Sequence, residues 1–99
     1  MLTYKVFRAG EWAELQAAGR TLGAPVDRAD GFVHFSTEEQ LAGTLERHFA
    51  GETGLVIVAV EAEAAGEAIR WERSRGGALF PHLYRALELG DVVSVRERG

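Results

Sequence analysis

Leu55-Val56-Ile57-Val58-Ala59-Val60 is the longest apolar run in the chain. Its length and its β-branched content predict a buried central strand, and it falls far short of the ~18 residues a membrane span needs. The neighbouring segments are read outward from it. Towards the N-terminus, Ser36-Thr37-Glu38-Glu39 fits a capping box with Ser36 as N-cap, opening a helix with Leu41, Leu45 and Phe49 at i, i+4, i+8 and an end at Gly51. Before it, residues 31–36 read as a short strand and 21–30 as a loop carrying Gly23, Pro25 and Asp27. Residues 12–18 form a helix closed by Gly19, and residues 3–7 a first strand.

Towards the C-terminus, residues 68–73 alternate Ile69 and Trp71 with Arg70 and Glu72, a half-buried strand in which Trp71 faces the core. Gly76-Gly77 makes a turn. Residues 78–85 are extended, and Pro81 within them argues for an edge, a bulge or a break. Leu89-Gly90-Asp91 then turns the chain into a last strand, 92–96. Two early helices and late strands define an α+β class, and 99 residues make a single domain, 1–99. A dinucleotide-binding βαβ unit is excluded, because no glycine-rich turn links a strand to a helix.

Composition narrows the function classes. Eleven basic and fifteen acidic residues give a net charge of −4, which argues against a nucleic-acid surface. The absence of cysteine excludes disulfides and thiolate metal sites. The first residues lack the basic-then-apolar pattern of a secretory signal, so a soluble cytoplasmic protein is expected, with no membrane partner.

Three features carry possible chemistry. His34 and Ser36 share one face of their strand, where an imidazole, a hydroxyl and helix N–H groups meet; such a corner suits an anion. The plainer reading is a packed histidine and a helix cap. Phe80, His82 and Tyr84 share one face of the next segment, either as a stacking platform for a planar ring or as core-closing aromatics. Glu72, beside Arg70, is a solvated ion-pair partner or a fixed charge that stabilises a cation forming on a substrate. His48 reads as a boundary residue. A zinc site would need His34, His48 and His82, and none of these shows the spacing of a metal motif, so no metal is expected.

The block Gly31 to Gln40, the Arg70-Trp71-Glu72 step and Phe80-Pro81-His82-Leu83-Tyr84 together resemble the small bacterial proteins grouped as domain of unknown function 952. The resemblance runs over nearly the whole chain. It implies a fold similar to the ADP-ribosyltransferase superfamily, with a curved, split, mostly antiparallel sheet and a cleft for NAD. Where family members carry a histidine in the first strand this chain has Lys5, which meets a phosphate as a point charge.

The leading expectation, from that fold and these residues together, is an NAD- or ADP-ribose-recognising domain or a small ADP-ribosyltransferase acting on a small anionic ligand. Lys5, Ser36 and Thr37 would hold phosphate and ribose, Phe80 or Tyr84 would stack on nicotinamide, and His34, Glu72 and His82 would form the catalytic set. Two other classes stand beside it. One is a non-catalytic sensor using the same cleft. The other is a two-histidine phosphoesterase-like hydrolase, since His34-x-Ser36 resembles half of its paired motif, although His82 is followed two residues on by Tyr84. A common site requires His34, Ser36, His82 and Tyr84 to line one concave surface.

Overall fold

The structure, a computed structural model, describes residues 1–98. Its strands and helices run in the order β1 (Leu2–Phe7), α1 (Ala9–Ala18), β2 (Arg20–Thr21), α2 (Pro25–Asp30), β3 (Val33–His34), α3 (Glu38–His48), β4 (Leu55–Glu61), α4 (Ala62–Ala65), β5 (Ile69–Arg73), β6 (Leu79–Leu83), β7 (Leu87–Glu88) and β8 (Val92–Arg98). They make an α+β domain of open antiparallel sheets. One three-stranded sheet is ordered β1-β4-β8 and a second β3-β6-β5, while β2 and β7 form a two-stranded ribbon. Among the described residues no helix is long and apolar enough to cross a membrane.

Residues 55–60 form the middle strand of the first sheet, and every one of them is buried. The continuous apolar run follows from cover on both faces. Val56, Val58 and Val60 enter a core with Phe7, Leu15, Val33, Ile69 and Leu83. Leu55 and Ile57 point the other way, onto Leu41 and Leu45 of α3. Each such side chain contributes roughly 1.5–3 kcal/mol by leaving water.

Four local expectations are corrected. The 21–30 segment is not a loop: its second half is α2, started by Pro25 at a first-turn position and by an Asp27 side chain that accepts from the Ala24 N–H at 2.7 Å. Helix α3 is capped by Thr37, not Ser36. Thr37 Oγ1 accepts from the Gln40 amide at 3.2 Å and Gln40 returns its carboxamide oxygen to the Thr37 amide at 3.0 Å. Ser36 instead bridges to Tyr4 on β1, joining the two larger sheets at one point.

Strand β6 is the central strand of its sheet despite Pro81, not an edge. The Pro81 carbonyl accepts from the Phe35 amide at 3.0 Å, but proline has no N–H to return, and β3 stops pairing there. Lastly, Trp71 does not enter the core and is 40% exposed. It lies on the edge strand β5, opposite Pro81, and on its face only Ile69 reaches the apolar layer.

Candidate functional site

The second sheet has an apolar inner face and a mixed outer face that is covered only in part. Val33, Ile69 and Leu83 fill its inner side. On the outer side the register aligns His34 of β3 with His82 of β6, and His82 with Arg70 of β5. One strand pairing thus sets the two imidazoles side by side, with ring centroids 5.3 Å apart. Glu72, two residues along from Arg70, lies on this same face.

Each histidine is held through Nδ1 by a carboxylate, which can only accept, so both Nδ1 atoms are donors. His34 Nδ1–H donates to Asp27 Oδ1 at 2.6 Å and His82 Nδ1–H to Glu72 Oε1 at 2.8 Å. The Tyr84 hydroxyl donates to the same Glu72 oxygen at 2.7 Å. Fixing Nδ1 leaves Nε2 as the nitrogen that faces other groups. That of His34 lies 3.0 Å from the half-exposed carboxylate of Asp30, and His82 is only 4% exposed.

Asp27 organises this corner from beneath. It is 1% exposed and accepts from the Lys5 ammonium at 2.6 Å, from the His34 amide at 3.0 Å, from the His34 ring and from the Ala24 amide. Burial pushes its carboxyl up, but the His34 ring bond, the Lys5 charge and bond and the His34 amide outweigh it. The result is a fall from an ordinary 3.8 to about 2. Gly23 makes room for it: a Cβ there would stand 2.2 Å from Asp27 Oδ2, and the backbone φ is +95°. On the other carboxylate, the Tyr84 hydroxyl and then the His82 ring hold Glu72 below its ordinary range, and the same bond raises Tyr84.

Phe32 lies over the pair, its ring stacked on His82 at 4.1 Å and 25°, 4.5 Å from His34 and 5.1 Å from Tyr84. The Arg70 guanidinium sits 4.4 Å above the Tyr84 ring from another side. Beside these rings opens a cleft of about 380 Å³ lined by Asp27, Arg28, Phe32, Tyr84 and Arg85 among others.

Of the residues singled out from sequence, His34, Glu72, His82 and Tyr84 meet on this surface. Lys5 is buried and reaches the site through Asp27. Ser36 is turned to Thr44 of α3, with its hydroxyl 2.7 Å from Thr44 Oγ1, so it does not join the histidines on one surface as expected. Thr37 caps α3, and Phe80 is buried opposite Glu72. Asp27, Phe32 and the cleft arginines were not anticipated. Asp27 had a legible signal, since a proline followed two residues later by an acid reads as a helix start.

The fold and this surface define a small α+β domain with two carboxylate-anchored histidines on the open face of a three-stranded sheet. The model of a protein family of unknown function, DUF952, matches residues 6–95, and the chain belongs to that family. The chain is similar to protein CC0527 from Caulobacter crescentus. The crystal structure of that protein is 47% identical with a TM-score of 0.95, covering 98% of this chain and 85% of that one. Its solution structure is 48% identical with a TM-score of 0.87, covering 97% and 83%. Comparison with curated proteins finds no match.

Proposed function

We infer that the His34–His82–Tyr84 surface and the adjoining cleft recognise a small anionic ligand carrying a planar ring, of the NAD or ADP-ribose class. The observation that carries this reading is the cross-strand pairing of His34 with His82, which gathers both imidazoles, Tyr84 and Glu72 beside a cleft bordered by Arg28 and Arg85. Arg28 and Arg85, held beside the cleft by Glu14 and Asp91, would serve phosphate oxygens by exchanging those carboxylates for the ligand, and the rings suit a base. ADP-ribosyl transfer is the enzymatic form of this reading. The bond from the ribose carbon to nicotinamide would break with its electron pair leaving on nicotinamide. Glu72, held ionised by its two donors, would face the cationic ribose carbon, and an acceptor's oxygen or nitrogen would bond to that carbon and lose its proton. The likeness to the ADP-ribosyltransferase fold belongs to this proposal, as does the sensor form in which nothing turns over.

NMR titration with NAD, ADP-ribose and inorganic phosphate tests it. Saturable shifts at His34, His82 and Tyr84 are expected, and the double variant His34→Ala/His82→Ala should abolish them. No response at millimolar ligand would end the proposal. Release of nicotinamide from NAD separates a transferase from a binder.

A second reading is favoured by the two Nδ1 anchors. Paired imidazoles suit phosphodiester hydrolysis: one Nε2 takes a proton from water attacking phosphorus while the other protonates the departing oxygen. Turnover of a 2′,3′-cyclic nucleotide, lost in either single histidine variant, would select it.

A further inference from the structure

Phe32 is an apolar ring placed on the polar face of the second sheet. It lies beside His34, with ring centroids 4.5 Å apart, and not with Val33 in the core. It is partly exposed, and it covers His82, the histidine that both functional readings require. The groups beneath it have their edges engaged: His34 and His82 donate to Asp27 and Glu72, and Tyr84 donates to Glu72. What they present to Phe32 is ring surface, with His82 stacked and His34 and Tyr84 tilted. Asp27 is filled by its four donors, so the carboxylates open to a ligand at the rim are the half-exposed Glu72 and Asp30. A phenyl ring uses the faces and leaves the rim unused. A planar ring that bears N–H groups, such as an aryl amide, would use both.

We propose that His34, His82 and Tyr84 form a subsite for a planar ring bearing an amide or amino group, and that Phe32 fills it in the free protein and swings out when such a ring binds. The inference rests on the cleft being the ligand site and adds the side chain that must leave it. The path is short. Phe32 belongs to neither α2 nor β3, and it follows Gly31, whose φ is +85°. It already lines the 380 Å³ cleft with Tyr84 and Arg85, so rotation about its own side-chain bonds carries the ring there. The corner beneath stays in place, because Asp27 holds Ala24, His34 and Lys5 through atoms that Phe32 does not share.

The test compares the parent protein with Phe32→Ala and Phe32→Leu. Benzamide and nicotinamide serve as planar probes and cyclohexanecarboxamide as the saturated control, followed through the His34 and His82 ring resonances. Removing the occupant should tighten the planar amides on the order of tenfold, because a site open only part of the time binds more weakly by that fraction. Phe32→Leu should fall between the two, and it carries the test alone if the alanine variant does not fold. The saturated amide should gain nothing. The inference is overturned if the folded variants bind planar amides no better than the parent, or bind the saturated amide equally well, which would make the space a mere hole. ADP-ribose is run on the same samples. Amide gain without ADP-ribose binding leaves the ring subsite standing and removes the NAD reading, whereas ADP-ribose binding without amide gain removes the Phe32 inference alone.

Discussion

The two three-stranded sheets have the same number of strands but differ in how completely they bury their second face. In the sheet of β1, β4 and β8, the middle strand is enclosed on both sides, by the main core and by α3, and its sequence is apolar without interruption. In the sheet of β3, β6 and β5, one face carries Val33, Leu83 and Ile69, and the other carries His34, His82, Arg70 and Glu72. A sheet covered twice has no face left for chemistry. The one covered fully on one side and partly on the other can hold titratable side chains in fixed cross-strand register while its apolar face anchors it.

That contrast depends on Asp27, a buried charge paired with the buried Lys5 beneath the open face, and removing it should give the largest effect. Asp27→Asn leaves the Lys5 ammonium buried without its partner, for a loss of about 3–5 kcal/mol. The acid limb sharpens the point. A carboxyl depressed in the folded state stabilises the protein above its ordinary value near 3.8 and loses that contribution as pH falls through about 2. At about 1.4 kcal/mol per unit this comes to roughly 2 kcal/mol. Urea midpoints at pH 7, 4 and 2.5 should show the gap between parent and Asp27→Asn narrowing only across the last interval. A constant gap down to pH 2.5 would mean that Asp27 is not held ionised in this way.

The outer carboxylate should behave differently, since Glu72 is partly exposed and held by side chains alone. Tyr84→Phe removes the stronger of the influences that lower it, so the Glu72 carboxyl should titrate at higher pH than in the parent. His82→Ala should raise it by less. Carbon-13 titration of the Glu72 carboxyl reads both shifts, and the fold should persist in each variant. An unmoved Glu72 in Tyr84→Phe would break the assignment of the Tyr84–Glu72 bond.

The sheet covered on both faces was legible because its signal is local: a β-branched apolar run needs no partner to be recognised. The pairing of His34 with His82 was legible only as a shared side of two strands, since nothing local states that residue 34 lies opposite residue 82. The cap at α3 was misplaced by one residue because Ser36 and Thr37 both offer hydroxyls and both have an acidic or amide side chain three positions on. Tertiary structure decided between them, as Ser36 pairs its backbone with Tyr4 and leaves Thr37 to cap. Asp27 is not legible as a site residue because its value lies in Lys5 and His34, one on β1 and the other across a turn.

The tryptophans give the smallest effect and the finest test of the contrast. Trp12 packs against the main core from α1, with its ring 6.3 Å from that of Phe7, which is fully buried. Trp71 shares strand parity with Ile69, yet it lies where the apolar layer has run out along an edge strand. Parity fixes which side a residue faces, and cover decides whether that side is core. Trp12→Ala should therefore cost about 2–4 kcal/mol, in the lower part of the range for large-to-small changes because the ring is only partly buried. Trp71→Ala should cost less than about 1 kcal/mol. At roughly 4–8 °C per kcal/mol for a domain of this size, thermal melts separate the two clearly. If Trp71→Ala melted as low as Trp12→Ala, the edge of the second sheet would be covered in solution by something that buries Trp71, and the open face would end before β5.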